Sequence, residues 1–208
     1  MLDYFFTVEE TENIIPLKQY KVIHCRRSTI ESFISKWHYS GSINGCISDY
    51  CFALVRGDEV VGALFYGRLA MVNQWKRFAD CKEDVIELRR LCCIDDTPKN
   101  TESYFIGKSL KWLQQNTNFK IVVSYADAEY GHTGTVYKAS NFEYLGLSKG
   151  AKIIVKDNKR FHDKSVRTYH NGILKPFAQK LKDSLEDGTA HYKLTKGKHT
   201  YIYKLRKR

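Results

Sequence analysis

The block WHYSG at residues 37–41 contains two side chains that could do chemistry, His38 and Tyr39. They follow a segment whose apolar residues recur with helical spacing, so we expect them to lie where a helix ends. A histidine at such an end, beside Ser and Gly, can reach a cleft and act as a general base or a metal ligand. A histidine that only terminates the helix is the alternative, and both stay open.

The block from residue 124 to 146 contains two further candidates. Asp127 ends a short apolar strand predicted over 120–127, and open α/β sheets place ligand-contacting residues at such strand ends. A carboxylate there needs a partner, so Asp127 could bind a metal, hold a catalytic histidine or accept a proton. A cap before the following turn is the alternative. Tyr137 could act as an acid, a metal ligand or a stacking platform, or belong to the core.

Charged and polar residues surround the turn near Pro98. Arg89 and Arg90 share a strand predicted over 85–95, where neighbours point to opposite faces, so one of them must face a covered side or a cleft. Polar residues open the next helix and could form an anion site with its free amides, or act as a simple N-cap; they are Asn100, Thr101 and Ser103.

The net positive charge of the chain comes entirely from its last 60 residues. Residues 149–208 hold 17 Lys and Arg against 5 Asp and Glu, whereas residues 1–148 hold 17 against 18. Such an asymmetry favours a polyanionic partner, because Lys and Arg that face phosphates release counterions; a solvated basic surface is the alternative. The candidates for contact with double-stranded DNA are Lys159, Arg160, Lys164, Arg167, Lys196 and Lys198.

The elements that must position these residues follow from periodicity and turn signals. Ser28 and Glu31 predict a capping box before the first helix, and Gly57-Asp58 predicts the turn of a hairpin. Further helices are predicted over 101–116 and about 165–185, and a terminal hairpin is predicted to turn at Lys196-Gly197.

The order β-α-β-β-β-α-β-α-β predicts an α/β (α+β) fold with one mixed sheet and helices on both faces. We expect a core over residues 1–150 and a basic extension over 151–208 that completes the same domain. The N-terminus lacks a signal-peptide pattern, and no apolar run approaches the roughly 18 residues of a membrane span. Six cysteines without a CxxC pair predict reduced, mostly buried thiols in a cytoplasmic protein without membrane contact.

Five blocks of the sequence together resemble the bacteriophage Mom family, whose members are similar to GNAT acyltransferases. They are WHYSG at 37–41, ELRRLCCID at 87–95, PKNTES at 98–103, SYADAEYGHTGTVYKASNFEYLG at 124–146 and KHTYIY at 198–203. The resemblance implies an enzyme that adds an acetamido (methylcarbamoyl) group to adenine in phage DNA and so blocks host restriction in the host cytoplasm.

The resemblance also implies cofactors and roles. Acetyl-CoA and iron are associated with the family. Arg90 matches the family's Arg-Leu pair and is the candidate for a phosphate or the substrate, whereas Arg89 is expected to face solvent. Ser124 joins Asn100, Thr101 and Ser103 as a cofactor-binding candidate. His38, Tyr39, Asp127 and Tyr137 are the catalytic candidates, and the first three are the metal candidates, with N and O ligands that suit iron.

One stretch departs from the GNAT pattern. The pyrophosphate loop of GNAT enzymes is glycine-rich, but residues 97–103 contain no glycine, and the next one is Gly107. Two alternatives therefore stay open. One is a GNAT acetyltransferase that acts on a hypermodified thymine, a small amine or a protein lysine. The other is a non-catalytic DNA-binding anti-restriction factor.

Overall fold

The computed structural model describes residues 16–205. The predicted lack of a signal peptide concerns residues that lie outside this range. The described residues divide into two compact units: residues 16–124, 136–142 and 203–205 form the first, and residues 125–135 and 143–202 form the second. No helix in the described range has both the length and the apolar character needed to cross a bilayer. The predicted boundary at residue 150 stays a prediction.

The first unit contains a mixed sheet with the strand order β1-β2-β3-β4-β5. Neighbouring strands are antiparallel except β4 and β5, which are parallel because helix α2 connects them. The elements are β1 Lys21–Cys25, α1 Arg27–Trp37, β2 Tyr50–Arg56, β3 Glu59–Gly67, β4 Val85–Cys93, α2 Thr101–Asn116, β5 Ile121–Asp127, of which 121–124 lie in this unit, and α3 Thr135–Ala139, of which 136–139 lie in this unit.

The core of the first unit follows from the spacing of apolar residues. Ile30 and Ile34 lie one turn apart on α1, are fully buried, and pack against a cluster that includes Phe65 of β3. The predicted capping box is wrong: α1 begins at Arg27, no side chain caps it, and Glu31 instead forms an ion pair with Arg27 at 3.4 Å. Ser28 lies inside the first turn because the helix starts two residues earlier than a Ser28 cap requires.

The second unit contains most of the basic segment. Its strands are β6 Glu143–Leu147, β7 Lys152–Lys156, β8 Lys159–His162, β9 Tyr169–His170, β10 Ile173–Leu174, β11 Ala190–Leu194 and β12 Lys198–Lys204, of which 198–202 lie in this unit, and its helix is α4 Pro176–Glu186. Strand β12 pairs with β6, β11 pairs with β7, which also pairs with β8, and β10 pairs with β9. Ile154, Leu181 and Ala190 form its apolar cluster.

Two predictions for this segment are wrong. The predicted helix over about 165–185 begins only at Pro176, because proline suits the first helical turn but not a helix interior. The residues before it form the hairpin β9–β10, whose turn holds Asn171 and Gly172 at positive φ. The predicted terminal hairpin is also absent from the described residues, because β11 pairs with β7 and β12 pairs with β6.

Candidate active site

A β-bulge interrupts strand β4 at Arg89. Phe65 of β3 pairs with Arg90, and the next residue, Tyr66, pairs with Leu88, so Arg89 is one extra residue on β4. A bulge breaks the alternation of side chains along a strand, and bulges are over-represented beside active sites. The prediction that Arg89 and Arg90 point to opposite faces assumed a regular pleat and is not supported by this register.

Tyr137 of α3 lies among charged and polar side chains of the first unit. Burial is the main cause that raises the pKa of Tyr137 to about 12, and the nearby Tyr39 and Glu87 raise it further. A hydrogen bond shared with Ser124 and the positive charge of Arg90 lower it. The hydroxyl of Tyr137 therefore keeps its proton at neutral pH, which makes it a candidate general acid.

Arg90 is a cation without a counter-ion in this group. One of its terminal nitrogens donates to the carbonyl oxygen of Arg89 at 2.8 Å, and its buried Nε has no hydrogen-bond partner. Within residues 16–205, no carboxylate lies within 4.0 Å of its guanidinium. A partly buried guanidinium with unused donors is suited to bind an anion.

Arg89 does not face solvent as predicted, because its side chain is only 13% exposed. It forms an ion pair with Glu87 at 3.3 Å and donates to the carbonyl oxygen of Arg68 at 2.6 Å. A half-buried pair of this kind fixes the position of both side chains. Glu87 is thus held beside Tyr137 by Arg89.

His38 and Tyr39 follow α1, and the loop after them is fixed from both sides. Arg27 donates to the carbonyl oxygens of Cys46 and Ile43 at 2.9 and 3.2 Å. Gly67 at the end of β3 leaves room for this loop, because a Cβ atom there would lie 1.9 Å from the carbonyl oxygen of Ile47. Tyr39 thereby has a defined position in the first unit, close enough to Tyr137 to affect its pKa.

The hydrogen bonds of His38 decide which nitrogen carries its proton. The ring is buried, and its Nδ1 accepts from the backbone N–H of Ser40 at 3.1 Å and lies 2.8 Å from the Ser40 hydroxyl. An acceptor at Nδ1 places the proton of the neutral ring on Nε2. In this tautomer Nε2 is a hydrogen-bond donor, and the role of His38 as a general base stays a prediction.

The N-terminus of α2 borders a cavity of about 380 Å³. Asn100 adopts a left-handed conformation and no side chain caps the helix, since Thr101 and Ser103 donate to the carbonyl oxygens of Pro98 and Asn100. The predicted alternative of a simple side-chain cap is therefore wrong. The backbone N–H of Thr101 donates to the carbonyl oxygen of Pro98 at 3.2 Å, and the next amides, those of Glu102 and Ser103, stay available to an anion. The cavity is also lined by Lys111.

Asp127 ends β5 and belongs to the second unit. One carboxylate oxygen accepts from the backbone N–H of Glu129 at 3.0 Å, and the other lies 3.6 Å from the ammonium of Lys198. Asp127 thus caps the short helical turn Ala128–Tyr130 and has a cationic partner. The predicted need for a partner is confirmed, and a role in chemistry stays a prediction.

All six predicted DNA-contacting side chains of the second unit are exposed. Three of them have acidic partners, Arg160 with Glu129, Arg167 with Asp163 and Lys198 with Asp127. The other three have no carboxylate within 4.0 Å in the described part of the chain; they are Lys159, Lys164 and Lys196. Exposed ion pairs of this kind are weak and are displaced easily by a polyanion.

The side chains present do not fit a dedicated metal centre. In the described range, no group of three or more His, Cys, Asp and Glu side chains could hold an ion. His38 uses Nδ1 for hydrogen bonds within its own turn. The iron that the family resemblance implies would therefore need a tyrosine ligand.

The structure brings together four of the residues that the sequence singled out, Tyr39, Arg90, Ser124 and Tyr137, with Glu87 as a member that sequence reasoning missed. Glu87 lies in the ELRRL block, but a carboxylate in the first half of a strand is an ordinary surface residue by pattern alone. The signal that could have identified it is the charge of Arg89 two residues later, which favours a paired arrangement on one face.

Solved structures with the same fold are acetyltransferases. Arabidopsis thaliana NAA60 in complex with acetyl-CoA superposes with a TM-score of 0.53 at 12% identity, over 89% of this chain and 98% of that one. Spermidine N-acetyltransferase from Vibrio cholerae, in complex with CoA and spermine, gives 0.51 at 8% identity, over 90% and 96%. The predicted GNAT-like α+β fold is thereby confirmed.

A relative from Escherichia phage Mu, methylcarbamoylase mom, is 30% identical over 119 residues. That segment is 56% of this chain and 49% of the phage Mu protein, so the match spans about half the length of this relative. The profile of the Mom protein family matches residues 19–208, which is nearly the whole chain. The chain therefore belongs to the Mom protein family.

Proposed function

We propose that this protein transfers an acyl-derived group of the acetamido (methylcarbamoyl) type to the N6 amine of adenine in double-stranded DNA, and so protects the DNA from host restriction. The observation that carries the proposal is the protonated hydroxyl of Tyr137, held beside Ser124, Glu87 and Arg90 in a GNAT fold. Membership of the Mom family and the name of the phage Mu relative support the choice of reaction.

An acyl-CoA donor, as acetyl-CoA, fits the first unit. The uncapped amides of α2 would hold the donor's phosphates with the positive end of the helix dipole, a role that does not require the missing glycines. Asn100, Ser103 and Lys111 line the adjoining cavity. The bound donor supplies a thioester, which makes its acyl carbon electrophilic.

The chain's own residues would then manage protons and charge. In acyl transfer from acetyl-CoA, a bond would form between N6 and the acyl carbon, the carbon–sulfur bond would break, and Tyr137 would donate its proton to the departing thiolate, which gives N6-acetyladenine and free CoA. The amide nitrogen of a methylcarbamoyl group is not supplied by this step and requires a separate nitrogen donor. Arg90 would stabilise the negative charge that develops on oxygen, because its guanidinium has unused donors. Glu87 would accept the proton that the amine loses, and its ion pair with Arg89 would hold it in position.

The basic side chains of the second unit would bind the DNA. The ammonium groups of Lys159, Lys164 and Lys196 are exposed and form no ion pair with a described carboxylate, which suits contacts with phosphate oxygens. An enzyme that reacts with an exocyclic amine of a paired base has to rotate that base out of the duplex. The backbone contacts would supply the affinity that this extrusion requires.

The proposal is tested by mass spectrometry of digested DNA from cells that express the wild-type protein or Tyr137→Phe. We expect a heavier deoxyadenosine with the wild type, its loss with the variant, and wild-type plasmid that resists restriction enzymes. An altered thymidine would show that thymine, not adenine, is the substrate. Unmodified DNA together with acetyl-CoA turnover on spermidine or a lysine peptide would show that the substrate is an amine outside DNA. Protection from restriction without any altered nucleoside would support a non-catalytic anti-restriction factor.

A further inference from the structure

The side chains of residues 68–78, in the segment that follows β3, have no role in the site described above. At its tip, the side chains of Met71 and Val72 are 63% and 88% exposed, and Val72 is the most exposed large hydrophobic side chain of the described residues. Adjacent apolar side chains in solvent are unfavourable unless a partner covers them. This tip therefore calls for a partner.

Three cationic residues flank the tip. Arg68 precedes it, and Lys76 and Arg77 follow it, all three exposed. Among residues 16–205 no carboxylate lies within 4.0 Å of any of them. Of the acidic residues that follow, Glu83 and Asp84 are already paired with Lys82 and Lys120, and the exposed Asp80 lies within 4.0 Å of no Lys or Arg ammonium or guanidinium in the described range. The partner that fits apolar side chains flanked by free cations is a polyanion with an apolar interior, which describes stacked bases between phosphates.

The segment is held in one conformation. A short helical turn at Gln74–Arg77 follows the tip, and the backbone N–H of Gln74 donates to the carbonyl oxygen of Met71 at 3.1 Å. Trp75 and Phe78 are partly buried, and the charged ends of Lys76 and Arg77 lie 5.6 and 5.5 Å from the centres of their rings. A tip anchored in this way can press on another molecule without collapsing.

The segment begins beside the candidate active site, within the same unit. Gly67, the last residue of β3, pairs with Glu87 of β4, whose charge acts on Tyr137. Arg89, which holds Glu87, also donates to the carbonyl oxygen of Arg68 at 2.6 Å. The start of the segment is thus fixed to the strand that carries the site.

We propose that Met71 and Val72 form a wedge that enters the duplex next to the target adenine and fills the space that the extruded base leaves. Arg68, Lys76 and Arg77 contact the phosphates on either side. The proposal rests on DNA as the substrate, because only a paired and stacked base has to be displaced. Apolar side chains of this kind unstack a base step when they enter it, and so unwind the duplex locally.

The matched control is a second exposed apolar side chain, Ile173, in the hairpin β9–β10 of the second unit. It is 74% exposed and lies in the most basic segment of the chain, near Lys175. The hairpin belongs to the second unit, whereas Glu87 and Tyr137 belong to the first. It therefore tests whether any exposed apolar residue near cations gives the same effect.

The experiment measures local unwinding on closed circular plasmid DNA, which needs no knowledge of the target sequence. The full-length wild type, Met71→Ala/Val72→Ala and Ile173→Ala are each bound to the plasmid, which is relaxed by topoisomerase before its linking number is measured. We expect the double variant to unwind at least about tenfold less per bound protein, since the unstacking is then unassisted. Its DNA affinity stays within about threefold of the wild type, because the phosphate contacts remain.

A second measurement checks that the double variant loses unwinding because it no longer assists extrusion of the base. On DNA with an unpaired bubble, the adenines are already unstacked, so the double variant modifies them as fast as the wild type does. The wedge is contradicted if the double variant unwinds the DNA as much as the wild type does. It is also contradicted if Ile173→Ala alone abolishes the unwinding. A wild-type protein that shows no salt-dependent binding to the plasmid overturns DNA as the substrate, and the wedge with it.

Discussion

Replacement of Tyr137 by Phe removes the hydroxyl that we assign as the general acid and leaves the ring in place. The ring packs against Phe142, with centroids 5.6 Å apart, and this contact does not need the hydroxyl. Loss of a positioned proton donor lowers a rate by about 100- to 10,000-fold. We therefore expect a loss of this size in the rate of group transfer, with a folded protein.

The pKa of Tyr137 sets a second, independent expectation. It is raised from 10.0 to about 12, mainly by burial, and a shift of two units corresponds to about 2.7 kcal/mol in favour of the protonated form. At pH 8 only about one hydroxyl in 10,000 is ionised. The acid form is thus fully present up to about pH 11, so this group gives no fall in rate between pH 7 and 10.

The assay follows single turnovers of purified protein with acetyl-CoA and plasmid DNA, with modified deoxyadenosine quantified by mass spectrometry between pH 7 and 10. Tyr50→Phe is the matched control, because Tyr50 lies in the aromatic cluster of the same unit, 5.9 Å from the ring of Trp112. This variant should react at the wild-type rate. A Tyr137→Phe rate within threefold of the wild type would show that another group protonates the thiolate.

Further predictions concern stability and Asp127. Gly67→Ala places a Cβ 1.9 Å from a carbonyl oxygen and should lower the free energy of unfolding, measured in urea, by about 1–3 kcal/mol. Gly107→Ala on α2 adds a Cβ that meets nothing within 4 Å and should raise the free energy of unfolding by about 0.5–1 kcal/mol. Burial raises the pKa of Cys25 from 9.0 to about 11 and the pKa of Cys92 from 9.0 to about 12. The contributions of these thiols to the free energy of unfolding are therefore complete below pH 9 and are lost as the pH rises towards the raised pKa values. The unfolding free energy should therefore fall between pH 8 and 10, by about 1.4 kcal/mol for the Cys92 thiol and by less for the more exposed Cys25 thiol, whose charge is screened by solvent, and Cys92→Ala should remove the Cys92 share. Asp127→Ala should abolish the modified deoxyadenosine in expressing cells, and its persistence in DNA digests would exclude Asp127 from the chemistry.

The parts of the fold that the sequence predicted are those in which local signals and packing agree. Helix α2 lies at residues 101–116 as predicted, because its apolar residues recur with helical spacing and the turn at Pro98 precedes it. The hairpin β2–β3 turns at Gly57-Asp58 as predicted, since Gly57 adopts a positive φ there. In both cases one short segment contains all the information that is needed.

The parts that the sequence could not predict depend on pairing between distant segments. The bulge at Arg89 exists only in the register of β4 against β3, so the buried positions of Arg89 and Glu87 are invisible in β4 alone. Strands β11 and β12 look like one hairpin because they alternate across Lys196-Gly197, yet each pairs with an earlier strand. Local alternation identifies a strand but does not identify its neighbour.

The extra residue at Arg89 divides β4 into two half-strands that are out of phase with each other. A substitution on this strand changes one side chain, whereas deletion of a paired residue beside the bulge would shift the rest of that half-strand by one position against β3 and exchange its two faces. Insertions and deletions between residues 85 and 93 should therefore be far rarer among functional variants than substitutions. The length of this segment is as much a part of the site as the identity of its side chains.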